Sequence, residues 1–218
     1  MSFDIAQKIF QQTIDAEKRV STAINLGLMA MANQDLIEKT SSMVSDAIVS
    51  GQRVWMTSDL HFLHTNIINY SGRPFRDVDE MTNVHLRLLQ KIHQDDLVVF
   101  VGDMAMGNFT RSVELIRMIP GRRILVAGNH DLLKTGECKL AREKDLFEAV
   151  VPFLFWPGTQ NSFVFVSHYP AELPTGLKHK YVINYHGHLH QNLHPSPSTE
   201  YIKRINVGWD TAHALLCL

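Results

Sequence analysis

From Arg53 onward the apolar positions come in short unbroken runs. Val54-Trp55-Met56-Thr57, Leu97-Val98-Val99-Phe100-Val101 and Ile124-Leu125-Val126-Ala127 each stop at a loop rich in Gly, Asp, Asn or His. Runs of this length bounded by turn residues predict strands covered on both faces. Helical spacing between them predicts helices over Glu80 to His93, Thr110 to Ile119 and Lys139 to Ala149, with Thr110 as an N-cap and Pro120-Gly121 as a stop. Farther on, Phe153 to Trp156, Phe163 to Val166, Tyr181 to Tyr185 and Tyr201 to Ile205 are aromatic and β-branched, and predict strands joined by Pro- and Gly-rich turns. The pattern predicts an α/β sandwich with sheets inside and helices outside.

The first fifty residues read differently. Ile5, Ile9, Val20, Ile24, Leu28 and Met31 recur at helical spacing, Ser42 to Val49 forms a further helical stretch, and Gly27 is the only glycine before Gly51. Two or three helices are expected, packed on the main domain or on a partner chain. This divides the chain into a helical N-terminal extension, residues 1–50, and a main domain, residues 51–218. An apolar stripe more often covers a core than carries an activity of its own. The helices are also the surface to consider first for homo-oligomer formation.

Composition narrows the classes. At 218 residues with 45% hydrophobic content, the chain can bury one large core. A formal net charge of -1 gives no electrostatic argument for nucleic-acid or membrane binding, although it does not exclude nucleic acid. No apolar run approaches the roughly 18–20 residues that span a bilayer. The stretch Ala23 to Ala32 follows Asp4, Asp15 and Glu17, which are poor flanks for a signal peptide. Cys138 and Cys217 have neither metal-like nor disulfide-like spacing, so a reducing, cytoplasmic setting is expected. The unusual component is histidine, at twelve residues, several beside Gly, Asp or Asn, which invites a search for metal ligands.

Candidate chemistry lies at the strand ends, where ligand sites form in open α/β sheets. The segments are Ser58-Asp59-Leu60-His61, Gly102-Asp103, Gly128-Asn129-His130-Asp131, His168 after Phe163 to Ser167, and Gly187-His188-Leu189-His190. Turns favour Asp, Asn and Gly, so any one segment alone would be unremarkable. Five in series are harder to attribute to turns. Alternation along an extended chain would point His188 and His190 to one side, and Asp59 and His61 likewise.

In this order the segments resemble the calcineurin-like metallophosphoesterase superfamily over roughly Val54 to Asp210. A tighter likeness, to small bacterial and phage members, runs through Thr57 to Ile68, Gly72-Arg73-Pro74-Phe75 and Asn206-Val207-Gly208-Trp209-Asp210. The resemblance implies a four-layer α/β/β/α sandwich, here with the helical extension added. It also implies a dinuclear metal site, with Asp59, His61 and His190 on one cation, Asn129, His168 and His188 on the other, and Asp103 bridging. His130 would be the general acid for attack by a metal-bridging hydroxide. Carboxylate, amide and imidazole donors without thiolate suit Mn2+ first, with Fe, Zn, Ni or Mg also compatible. His64 and Arg73 are candidate phosphate contacts, Asn66 a helix cap, and Asp131 a turn cap. The substrate expected is a small phosphodiester or phosphomonoester, favouring a nucleotide. A non-catalytic scaffold and a nuclease or end-processing phosphatase are the alternatives. A Ser/Thr protein phosphatase is disfavoured, because Gly102-Asp103-Met104-Ala105-Met106-Gly107 lacks that group's Gly-Asp-x-Val-Asp-Arg-Gly and Asp131 stands in place of Glu. Trp156-Pro157-Gly158 and Leu173 to Lys180 are the loops that would shape a base pocket.

Overall fold

The computed structural model describes residues 2–17, 20–177, 181–192 and 198–218. Three helices precede the first strand: α1 (Phe3–Asp15), α2 (Val20–Ala32) and α3 (Gln34–Val49). Then follow β1 (Val54–Thr57), α4 (Thr65–Tyr70), α5 (Val78–Leu89), β2 (Leu97–Phe100), α6 (Phe109–Arg117), β3 (Arg122–Val126) and β4 (Ala149–Val151). The second half holds β5 (Phe153–Pro157), β6 (Phe163–Ser167), β7 (Val182–His186), β8 (Ile202–Asn206), α7 (Trp209–Ala212) and β9 (Leu216–Cys217).

The strands form two sheets, ordered β4-β3-β2-β1-β9 and β5-β6-β7-β8. In the first, β1 to β4 run parallel and β9 closes the edge antiparallel; in the second, β6 to β8 run parallel beside an antiparallel β5. Val98, Phe100 and Leu125 on one face of the first sheet pack with Leu86 and Leu89 of α5 and Val113 and Ile116 of α6. Its other face, with Val54, Met56, Val99 and Ile124, shares a core with the second sheet and the N-terminal helices. This is the mixed α/β arrangement of two sheets and outer helices that the apolar runs imply.

The first three strands and the later four fall where the runs place them, but several boundaries differ. The cap of α6 is Asn108, whose Oδ1 accepts from Arg111 N at 2.9 Å, two residues ahead of Thr110. Asp77 caps α5, accepting from Glu80 N at 2.8 Å. Asn66 is not a cap, because α4 begins at Thr65 with His64 before it. Lys139 to Ala149 is not an α-helix. Only a 3₁₀ turn, Lys139–Arg142, forms, and the chain then runs into β4, whose Ala149-Val150-Val151 pairs in register with Ile124-Leu125-Val126. The open edge of β3 wins over helical spacing there.

The extension is built into the core rather than hung on it. Phe3 and Phe10 set their rings 6.0 and 4.7 Å from that of Phe153 on β5. Phe155 N donates to Ser41 Oγ of α3 at 3.1 Å, which satisfies a donor at the outer edge of the second sheet. On α2, by contrast, Leu26 and Ala30 are the buried residues, while Val20, Ile24, Leu28 and Met31 are exposed. The stripe expected to pack therefore faces outward on this helix. Among the described residues no helix is long and apolar enough to cross a membrane.

Phe10 is 2% exposed and lies among the aromatic rings of β5. Phe10→Ala should destabilise the whole protein by about 3–5 kcal/mol, the usual cost of emptying a buried Phe site. Chemical denaturation should remain one cooperative transition. A loss confined to the far-ultraviolet helical signal, with the β-rich part unaffected, would show the extension to be energetically separate.

Candidate metal centre

Five strand ends meet across the two sheets. Asp59 and His61 follow β1, Asp103 follows β2, Asn129 and His130 follow β3, His168 follows β6, and His188 and His190 follow β7. The backbone at these residues is unusual. Asp59, His61, Asp103, His188 and His190 have φ of 56°, 51°, 54°, 68° and 51°, in the left-handed region that costs an L-residue roughly 1–2 kcal/mol. Hydrogen bonds between the loops hold them there: Asp59 N to Gly102 O at 3.1 Å, His61 N to Asp103 O at 3.0 Å, and His188 N to Asp59 Oδ2 at 3.0 Å. Alternation along an extended strand is thus not what aims His188 and His190. They occupy neighbouring halves of one cluster, His190 beside His61 and His188 beside His168, with ring centroids 5.2 Å apart in each pair.

Asp103 lies between the halves. Its Oδ2 is 3.6 Å from His61 Nε2 and 3.5 Å from His168 Nε2. On one side, Asp59 Oδ1 is 3.8 Å from His61 Nε2 and 4.0 Å from His190 Nε2. On the other, Asn129 Oδ1 is 3.2 Å from His168 Nε2 and 3.1 Å from His188 Nδ1. Asp59, His61 and His190 bring ligand atoms close enough together to hold a metal ion, as do Asp59, Asp103 and His168. Asp59 thus stands in both groups, a sharing that the sequence resemblance reserved for Asp103.

The cluster fits cations on energetic grounds as well. Asp59 Oδ1 and His61 Nε2 are buried without a hydrogen-bond partner among the described residues. Leaving such atoms bare costs about 1–3 kcal/mol each, more for a charge, and a divalent cation removes that cost. Burial, and then the neighbouring His190, holds the His61 pKa well below its ordinary value, so the ring keeps a lone pair to offer. Burial lifts the Asp103 carboxyl, and Asp59 adds to the lift. Burial alone would lower His168, but the charges of Asp103 and Asp59 outweigh it and raise it.

The far nitrogens of the rings are also placed. His168 Nδ1 donates to Val101 O at 2.8 Å, because a carbonyl can only accept, and this leaves Nε2 for the cluster. His190 Nδ1 is 2.6 Å from Asp210 Oδ2. His61 Nδ1 is 3.3 Å from His64 Nδ1. Asp131 is fully buried and accepts from the backbone nitrogens of Asp103, Met104 and Gly128, tying the loops after β2 and β3 together. Burial and the nearby Asp103 push its carboxyl up to about 6. It caps more than its own turn.

Arg73 is not placed to bind substrate. Its guanidinium is buried, with Nε and Nη2 on the two oxygens of Asp210 at 2.8 Å each and further bonds to Leu60 O and Asp59 O. Its fork is taken by a carboxylate of the same chain, so a phosphate cannot use it. Arg73 instead fixes Asp210, and Asp210 fixes His190. This pairing joins Gly72-Arg73-Pro74-Phe75 to Val207-Gly208-Trp209-Asp210, two blocks to which the sequence alone assigned no joint role. Tyr169 was also missed. Its ring is 4.4 Å from that of His188, its hydroxyl donates to Asn129 Oδ1 at 3.4 Å, and adjacency to His168 was its only signal.

His130 and His64 stand at the edge of the cluster. His130 donates its backbone N–H to Asp103 Oδ1 at 2.9 Å, and its ring, 28% exposed, lies 5.3 Å from that of His61. The His64 ring lies 6.0 Å from that of His130 and 6.3 Å from that of the exposed Tyr70. Trp156 is part of β5 and buried, so it offers no base platform. In the loop Leu173 to Lys180, residues 178–180 lie outside those described.

Close approach explains the glycine before His188. A Cβ on Gly187 would come 2.0 Å from Ser58 Oγ and 2.3 Å from Asp59 Oδ2. Gly187→Ala should displace Asp59 and lower the divalent cations retained on equilibrium dialysis, with an unchanged circular dichroism spectrum. Full retention would mean that Asp59 is not held as described.

Comparison with known proteins places the chain in a family. The family model described as calcineurin-like phosphoesterase matches residues 52–215. An uncharacterised protein of Methanocaldococcus jannaschii is 35% identical over 92 residues, 41% of this chain and 51% of its own length, so the match spans about half of that relative. The gene 66 protein of Mycobacterium phage D29 is 27% identical over 185 residues, 75% of this chain and 90% of its own. A crystal structure of a protein of unknown function from Aquifex aeolicus shares the fold, with a TM-score of 0.59 and 24% identity over 76% of this chain and 95% of that one. The chain belongs to the calcineurin-like phosphoesterase family.

Proposed function

We propose that the protein is a dinuclear metal-dependent hydrolase of a small phosphodiester or phosphomonoester, with a nucleotide-like compound as the favoured substrate. The observation that carries this reading is the position of Asp103 Oδ2, 3.6 and 3.5 Å from ring nitrogens of His61 and His168 that belong to opposite halves of the cluster. Asp59, His61 and His190 would hold one cation, Asn129, His168 and His188 the second, and Asp103 both. Once bound, the cations would supply Lewis acidity to the phosphoryl oxygens and the nucleophile. Mn2+ is the preferred metal in this reading, because the donors are oxygen and imidazole without thiolate.

The chain's own groups would do the rest. His130, pinned through its backbone to Asp103, would protonate the leaving alkoxide from the open side of the cluster. His64, beside it, would contact phosphate oxygens, and Arg73 would act through Asp210 to hold His190. The net charge of -1 favours a small ester over a duplex. A cytoplasmic setting is supported by two free cysteines, Cys138 buried and Cys217 exposed.

The test is a metal-supplemented screen of monoesters, diesters, cyclic nucleotides and dinucleotides with the wild type and His130→Ala. The variant should keep its metal content and lose about 10²–10⁴-fold in turnover of substrates with poor leaving groups, the scale of a lost general acid. Loss of metal together with activity would make His130 a ligand. Absence of turnover by the metal-loaded wild type on every ester class would overturn the reading.

A further inference from the structure

The two histidines of Gly187-His188-Leu189-His190 each turn one nitrogen into the cluster and the other toward a carboxylate. For His190 that carboxylate is Asp210, within the main domain. For His188 it is Glu17, two residues past the end of α1: His188 Nδ1 faces Asn129 Oδ1 at 3.1 Å, and His188 Nε2 lies 3.8 Å from Glu17 Oε2. Glu17 belongs to the N-terminal extension, outside residues 52–215 that match the family model. Its side chain is only 10% exposed, so the carboxylate is held against the cluster rather than free in solvent.

The end of α1 is anchored where this requires. Glu17 N donates to Ile14 O at 3.0 Å and closes the last turn. One turn earlier, Thr13 is buried, and its Oγ1 accepts from Glu172 N at 3.0 Å, in the loop that follows His168 and Tyr169. The Tyr169 ring stands 4.4 Å from that of His188 and restricts its rotation. Ile14 and Phe10 are buried in the shared core, so α1 has little freedom to withdraw.

We infer that Glu17 is a positioning residue for the half of the centre formed by Asn129, His168 and His188, so that the N-terminal extension completes the metal site. A carboxylate at the far nitrogen of a ligand imidazole fixes the ring's orientation and tautomer and raises its basicity, and its removal commonly costs 10–100-fold in metal affinity. A separation of 3.8 Å is an electrostatic contact and longer than a hydrogen bond. Its attraction strengthens once a cation withdraws electron density from the ring. The inference rests on the dinuclear reading above. It adds that α1 does more than cover the core: it sets the affinity of one cation and leaves the other to Asp210 and Arg73.

The experiment uses the full chain, stripped of metal, and titrates it with Mn2+ and separately with Co2+. Glu17→Gln keeps the shape and removes the charge; Glu17→Asp withdraws the carboxylate by one methylene. The wild type should bind two equivalents. Glu17→Gln should bind one equivalent with unchanged affinity and the other 10–100-fold more weakly, with an altered Co2+ visible spectrum for the weakened equivalent only and an unchanged melting temperature of the metal-free protein. Glu17→Asp should fall between the two, and it decides the matter should the glutamine variant fail to fold. A wild type that binds two equivalents, with a variant that matches it in both affinities and spectrum, overturns this inference alone. A wild type that binds fewer than two overturns the dinuclear reading and this inference with it.

Discussion

A buried carboxylate between two sets of imidazoles is the constraint on which the rest of the structure turns. Asp103 is 2% exposed, and its Oδ2 stands about equally far from His61 and His168. Burying such a group without compensation is expensive, and its pKa is raised accordingly. The surroundings are built to keep it in place. Its backbone N–H goes to Asp131, its Oδ1 accepts from His130 N, and its own backbone is left-handed. A Cβ on Gly128 would lie 2.4 Å from Asp103 Oδ1, so that glycine permits the loops to close. Asp59, His61, Asp103, His188 and His190, five residues of the cluster with left-handed backbones, keep those conformations only where the surrounding hydrogen bonds over-determine them.

Around this centre lies a layer of side chains whose work is orientation. Val101 O fixes the tautomer of His168, and Arg73 fixes Asp210, which in turn fixes His190. The Arg73–Asp210 pair is buried and bidentate, a geometry that gives precise placement more reliably than it gives net stability. Sheets that deliver ligands from separate strand ends need such ties, because each loop alone could relax away from the others. The N-terminal helices are tied to the second sheet through the aromatic contacts of Phe3 and Phe10 with Phe153.

Much of this was legible in the residues, and the limits have physical causes. The strands before Asp59, Asp103 and Asn129 are uninterrupted apolar runs, because both faces of the first sheet are covered. The convergence of their ends followed from topology. The cap at Asn108 and the strand at Ala149–Val151 were not legible, because cap choice and edge pairing depend on tertiary neighbours. The residue types leave the role of Arg73 open for a related reason. A guanidinium beside a ligand loop suits phosphate equally well until a buried carboxylate 137 residues away is seen to occupy it. The left-handed backbones of His188 and His190 likewise leave no trace in the pattern of residue types.

The most direct test of the account is the electron paramagnetic resonance spectrum of the Mn2+-loaded protein, taken with the bound metal counted. A carboxylate shared by two neighbouring cations predicts two equivalents of Mn2+ and the multiline spectrum of a spin-coupled pair. Replacing Asp103 by Asn should abolish the coupling. A single equivalent, or two uncoupled ions in the wild type, would contradict the claim that Asp103 joins the two halves of one centre.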